Sequence, residues 1–290
     1  MPWPFDNEYM QLALVAGLVV GACAPLVGTF LVQRRMSLMG DGIGHLAFAG
    51  VAAGLALGTS PTWMALVVAT LGAVLIEYLR TRSGAQGDVA LAVMFYGGIA
   101  TGVVLISKSD TGSASLLSYL FGSILTVDRS EVVMVVVLGL VIALVVGITQ
   151  RAQFAIAVDE EWSRVAGLPV GFLNLVFAVL TAATVVTAMK VVGVLLVAAL
   201  MVLPVACAQI LAGSQRSILM MSAGLGMASV IIGLTLARWL GLAPGATIVL
   251  VAAAAFVVIT VISHFRSSGQ VHVDGRVGFQ GHRHGHGHRH

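Results

Sequence analysis

Apolar residues run along this chain in stretches close to the roughly 20 positions a helix needs to cross hydrocarbon, and charged residues fall almost entirely between those stretches. Dividing the chain at that punctuation predicts about nine spans: Leu12 to Val32, Met39 to Gly58, Pro61 to Leu79, Asp88 to Ser107, Glu131 to Gln150, Gly171 to Ala188, Val191 to Ala212, Ser217 to Ala237 and Ala246 to Phe265. The second carries Gly40, Gly42, Gly44, Gly50 and Gly54, so it is either a broken helix or one packed closely against its neighbours. SLLSYLFGSIL, from Ser115 to Leu125, is apolar but too short to cross, and reads as an interfacial or re-entrant helix. The expected fold is all-α, a polytopic membrane bundle of about eight or nine transmembrane helices over residues 1–265, followed by a flexible polar tail over residues 266–290.

Composition agrees with that class. Hydrophobic residues make up 59% of the chain, charged residues only 9%, and the mean hydropathy is +1.02, more apolar surface than a soluble domain could cover. The net charge of +3 and a pI near 9.2 could suggest nucleic acid, but the arginines stand singly at the ends of apolar runs, so nucleic-acid binding is not expected. If the loops holding Arg34, Arg35, Arg80, Arg82, Arg151, Arg164 and Arg216 face the cytoplasm, the alternate loops hold only Lys108, Arg129, Lys190 and Arg238. The amino terminus is then outside and the carboxyl terminus inside. The opening MPWPFDNEYM is acidic and lacks a basic leader region, so the first apolar run is expected to be a retained span. Cys23 and Cys207 lie inside apolar runs without a close cysteine partner and read as small buried hydrophobes.

Asp41 and His45 stand out against this background. They sit one helical turn apart in LMGDGIGHLAFAGVAAGLALG, project from the same helix face, and offer oxygen and nitrogen ligands that a divalent transition metal accepts. An ionisable pair inside a span is expensive unless it has such a use. The ordinary alternatives are a helix cap for Asp41 and a histidine hydrogen-bonded within the bundle for His45. Other charges have simpler accounts: Glu77 lies one turn before Arg80 and forms an interfacial pair, and Asp88 sits where an N-cap or a dipole contact explains it. Lys108 and Asp110 fall in an outer loop that could guide metal or dock a partner. Lys190 opens MKVVGVLLV, where a cation could close or line the outer path or simply snorkel, and Pro204 could kink that span.

The longest interior polar segment is RAQFAIAVDEEWSRVAGLPVGFLN, Arg151 to Asn174. Asp159, Glu160, Glu161, Trp162 and Arg164, followed by Gly167, read as a short amphipathic helix capped by an acid and stopped by glycine. It is either a surface helix lying on lipid or a docking helix for a cytoplasmic partner. No glycine-rich phosphate loop ending in Lys-Ser or Lys-Thr occurs, so ATP hydrolysis would have to come from another polypeptide; the chain is not expected to be an enzyme. The tail alternates His282, His284, His286, His288 and His290 with glycine and arginine, which is either a weak metal buffer or a purification appendage.

MSLMGDGIGHLAFAGVAAG, YLFGSIL, DEEWSRVAGLPV, MKVVGVLLVAALMVLPVACA and PGATIVLVAAAAF occur in the order seen in permease subunits of zinc and manganese ABC importers, which the chain resembles from about Met36 to Phe256. That resemblance implies the ABC importer permease fold and a homodimer in a bacterial plasma membrane. It also implies two cytoplasmic ATPase subunits, through which alone ATP would act, and an extracytoplasmic metal-binding protein for delivery. It assigns Asp159 to Leu168 as the helix that docks on the ATPase, and Asp41 with His45 as intramembrane metal contacts. No permanently bound cofactor is implied; zinc or manganese would be cargo, with His45 and the tail inclining the chemistry toward zinc. RWLGLAPGATIVL departs from the family, since Gly241 stands where an acid is common and Ala243 and Pro244 replace a Pro-Ser pair. A secondary transporter driven by an ion gradient is the alternative function. An intramembrane metalloenzyme ranks far lower, because no HExxH motif is present.

Overall fold

The computed structural model describes residues 8–83, 87–107, 119–122 and 128–270. The helices in chain order are α1 (Glu8–Gln33), α2 (Ser37–Ala56), α3 (Pro61–Ser83), α4 (Gly87–Ser107), α5 (Arg129–Val158), the short α6 (Glu160–Val165), α7 (Val170–Met189), α8 (Val197–Leu211), α9 (Gln215–Leu240) and α10 (Pro244–Gln270). Among the described residues, α1, α2, α3, α5, α7, α9 and α10 are long and apolar enough to cross a membrane, while α4 and α8 contribute shorter apolar stretches, Leu91–Ser107 and Val197–Leu211. The all-helical bundle expected from the spacing of apolar runs is therefore the fold observed. In hydrocarbon a backbone has no water to bond, and a helix satisfies its own amides and carbonyls.

The helices alternate in direction, so their polar residues collect at two ends. At one end Arg34 donates to Asn174 Oδ1 at 2.8 Å and to Gln153, Gln33 pairs with Gln215, and Arg80 reaches both Glu77 and Glu160. At the other end Arg129 pairs with Glu8, Lys190 with Glu131, and Arg238 with Tyr9. The first end holds arginines that the charge asymmetry assigns to the cytoplasm, and the second holds those of the sparser loops.

Helix α2 lies at the centre, flanked by α1, α3, α4, α7 and α8. Its glycines settle the choice left open by sequence: the helix is continuous and closely packed. A Cβ on Gly50 would lie 2.6 Å from the Ala65 Cα, and one on Gly54 would lie 2.7 Å from the Pro61 Cα, so α3 approaches the α2 backbone directly. Helix α4 answers from the other side, where a Cβ on Gly98 would meet the His45 carbonyl at 2.9 Å.

Two boundaries differ from the expected spans. Helix α5 continues to Val158, so Arg151 belongs to it, and only Asp159 onward is separate. The run expected to cross as Val191 to Ala212 becomes helical only at Val197; residues 190–196 form turns. Gly193 explains the difference. It holds φ +92, and a Cβ there would lie 2.3 Å from the Leu120 carbonyl, because residues 119–122 pass directly against it; Val194 and Leu195 donate to Tyr119 O and Leu120 O at 3.0 and 3.3 Å. Of the Ser115–Leu125 segment only residues 119–122 are described, and they lie on these turns. Pro204 sits inside α8 without ending it. Cys23 and Cys207 are free and buried, the Cys23 thiol donating to Gly139 O at 3.3 Å.

Close helix contact makes a direct prediction. Gly50→Val forces backbone apart at the α2–α3 contact and should cost about 1–3 kcal/mol, whereas Gly147→Ala, where a Cβ meets nothing within 4 Å, should be neutral or stabilising. Thermal unfolding of the detergent-solubilised protein measures both.

Candidate functional site

Asp41 and His45 lie on the second and third turns of α2, counted from the end that carries Arg34. At about 1.5 Å per residue, this places them roughly 6–12 Å inside the helix start. The His45 Nε2 and Asp41 Oδ1 atoms are 3.9 Å apart. That is too long for a hydrogen bond, and close to the separation of about 3.4 Å that two ligands with ~2.1 Å bonds adopt around a tetrahedral ion. Closing by about half an ångström would let both side chains grip one cation.

The surroundings hold the histidine and leave the acid accessible. The His45 side chain is 9% exposed and that of Asp41 32%. Phe95 of α4 stands edge-on to the imidazole with ring centroids 4.2 Å apart, fixing its plane by an aromatic contact worth about 0.5–1.5 kcal/mol. On the opposite side, a Cβ on Gly44 would lie 3.3 Å from Val194 O and one on Gly40 3.4 Å from Met201 Sδ. The turns before α8 and the start of α8 thus form a wall beside the pair. Among the described residues no group of three or more His, Cys, Asp or Glu side chains gathers to hold a metal, so Asp41 and His45 form a partial ligand set in one copy of the chain.

The other expected functional residues separate into two places. Asp159, Glu160, Glu161, Arg164 and Gly167 stay together at the Arg34 end. The Asp159 carboxylate accepts from the Trp162 N–H at 2.8 Å as the N-cap of α6, and Gly167, at φ +85, turns the chain after it. Glu160 pairs with Arg164 at 3.2 Å and with Arg80 of α3 at 3.6 Å, while Glu161 is exposed. Lys190 lies at the opposite end, its Nζ 2.6 Å from Glu131 Oε1, 3.2 Å from the Tyr119 hydroxyl and 4.4 Å from the Tyr119 ring centre. Burial alone would lower the Lys190 ammonium, but the Glu131 and Tyr119 contacts outweigh it and hold it above its ordinary value. It is a charged tie between α5, residues 119–122 and the turns before α8. Lys108, Asp110 and the tail histidines His282, His284, His286, His288 and His290 lie outside the described residues, as does the Asp88 side chain.

Three features escaped the sequence reading. Trp162 is 70% exposed and Val165 87% exposed on α6, an apolar surface on a helix whose other residues are mostly charged; a tryptophan inside an acidic segment was the available signal. Arg34 was read only as a topology marker. It is half-buried, with its guanidinium over the Phe177 ring at 4.7 Å, and is held by Asn174 and Gln153. Burial first, and then the nearby Arg80 charge, draw its guanidinium down to about 10, with Glu77 and Glu160 opposing the shift. Glu77 and Arg80, read as a local interfacial pair, turn out to extend to α6. Gly241 ends α9 at φ +66, and Pro244 opens α10 after it.

Comparison with known proteins bears on the family and the fold. The manganese import system permease protein ScaB of Streptococcus gordonii is 32% identical over 87% of this chain and 91% of its own length, and ScaB of Streptococcus parasanguinis is 33% identical over 87% and 89%. An uncharacterised membrane protein of Synechocystis is 34% identical over 87% and 89%. The solved structure described as PsaBC from Streptococcus pneumoniae in complex with Fab superposes with a TM-score of 0.80 at 33% identity, covering 88% of this chain and 91% of the other. The family model described as the ABC 3 transport family matches residues 6–263. With that match over nearly the whole chain and a shared permease fold, the protein belongs to the ABC 3 transport family.

Proposed function

We propose that this chain is the membrane-spanning subunit of an ATP-driven importer of a divalent transition metal, and that Asp41 and His45 form a transient station for the ion. The observation that carries the reading is the 3.9 Å pair, partly open, within an apolar membrane helix near one end of the bundle. A transported ion must be held strongly enough to be selected and loosely enough to leave, which suits two protein ligands completed by water or by a second copy of the chain better than a closed four-ligand site. Asp41 contributes charge compensation and His45 a nitrogen donor.

Helix α6 supports the energy source. Its Trp162 and Val165 stand out from the bundle on a rigidly capped turn, a surface suited to a groove on a cytoplasmic ATPase subunit. The arrangement gives an ion-gradient mechanism less support, since that reading leaves this helix without a role. An extracytoplasmic metal-binding protein is the expected donor at the opposite end.

Of the two metals, manganese now leads. Relatives at 32% and 33% identity are named for manganese import, while the case for zinc rests on His45 and on the tail, which lies outside the described residues. In vesicles holding the assembled importer, manganese uptake should require ATP, and excess zinc should compete less effectively than unlabelled manganese. Zinc winning that competition would reverse the assignment.

Asp41→Ala and His45→Ala should each cut uptake by at least about tenfold while the permease still assembles with its ATPase. Wild-type uptake in both would remove the pair from the pathway. Trp162→Ala should weaken ATPase association by about 2 kcal/mol or more, measured by titrating ATPase subunits against the permease in nanodiscs.

A further inference from the structure

The contact from α6 into the bundle runs through a charge cluster that includes no metal ligand. Arg80 makes a two-pronged bond to Glu77 on its own helix, Nε to Oε2 and Nη2 to Oε1, both at 2.9 Å. The Glu77 side chain is 8% exposed, so the bond holds the guanidinium fork in one orientation. The remaining nitrogen, Nη1, faces Glu160 Oε2 of α6 at 3.6 Å. A planar fork held at two points and aimed with its third is a preorganised reader of the position of Glu160, which a lysine could not reproduce.

From Arg80 the path to the pair is continuous packing. Helix α3 meets α2 backbone to backbone at Gly50 with Ala65 and at Gly54 with Pro61. Near the pair itself, a Cβ on Gly72 would strike Leu46 Cδ1 at 2.3 Å, and Leu46 is the residue after His45. Contacts this tight transmit displacement rather than absorb it. Arg34, at the turn that opens α2, lies within electrostatic reach of Arg80, Glu77 and Glu160, so the same cluster also faces the base of the helix that holds Asp41.

We propose that Arg80, oriented by Glu77, is the positioning residue that carries movement of α6 through α3 into α2, and so couples that movement to release of the ion from Asp41 and His45. Arg80 touches neither metal nor nucleotide. The inference rests on α6 being the ATPase docking helix, as proposed above. It gives that helix a specific internal receiver.

The test uses the complete importer with its ATPase in vesicles, reading metal uptake and ATP hydrolysis together. The paired replacement Glu77→Gln with Arg80→Gln removes both charges at once, so that no buried carboxylate is left without a partner. Glu160→Gln breaks the same contact from the α6 side. Each should lower the metal imported per ATP hydrolysed by about fivefold or more. Combining all three should lower it no further, because both changes cut one link. The α3 double variant should keep ATPase association and nucleotide-free manganese binding at wild-type levels, readouts that general destabilisation would move.

An unchanged uptake-to-hydrolysis ratio in either variant, losses that add in the triple variant, or loss of metal binding in the α3 variant would each overturn the relay. Wild-type vesicles separate this from the underlying reading. If their uptake does not depend on ATP, the importer assignment itself falls and the relay falls with it; if it does, an unaltered ratio in the variants removes the relay alone.

Discussion

Hydrocarbon cannot hydrogen-bond, and nearly every feature of this protein follows from that constraint. The backbone must close its own bonds, so the spans are helices. Side chains gain little from leaving lipid for a helix interface, so association depends on close fit, and small residues are placed where backbones touch. Helix α2 shows the result. Its glycines admit α3 on one side, while Gly98 brings α4 onto the His45 carbonyl from another, giving the most enclosed helix close neighbours on two sides.

The same constraint sorts the polar residues. Most charges sit at the two ends, where they find one another: Glu77, Arg80 and Glu160 at one, Glu131 and Lys190 at the other. These ties are not large sources of stability. An exposed ion pair is worth about 0–1 kcal/mol, and a buried one mainly avoids the penalty of an uncompensated charge. Their value is positional. The outer tie fixes the turns before α8 against α5, and the inner cluster binds α3 to α6. Between the ends, Asp41 and His45 lie in the apolar interior with a separation that leaves both donors available to an ion.

Those turns show how the irregular part of the bundle is made affordable. Residues 190–196 leave helical geometry; the amides of Val194 and Leu195 are satisfied by the carbonyls of Tyr119 and Leu120, and those of Val191, Val192, Gly193 and Leu196 by turn carbonyls of Ala188, Met189 and Gly193. Irregular backbone is tolerated at depth when protein covers it in this way. The Val194 carbonyl that faces Gly44 belongs to that irregular segment, whereas Met201, which faces Gly40, belongs to α8.

Much of this could be read from sequence. Apolar run length set the number and class of the helices, since crossing distance and rise per residue leave little freedom, and the i, i+4 spacing placed Asp41 and His45 on one face before any fold was known. The cap at Asp159 and the stop at Gly167 are local and were equally legible. Tertiary structure decided what depends on residues far apart in the chain. Hydropathy counted residues 191–196 as membrane helix, because it registers apolarity but not the approach of residues 119–122 to Gly193, which holds φ +92. Glu77 and Arg80 looked like a closed pair because their spacing of three residues satisfies a helix; only the fold, which brings Glu160 of α6 within 3.6 Å of Arg80, revealed the third partner. Asp41 and His45 were found from their own turn of helix, but the edge-on Phe95, the Val194 wall and the lack of a third ligand among the described residues came from α4 and α8, whose positions no local pattern encodes.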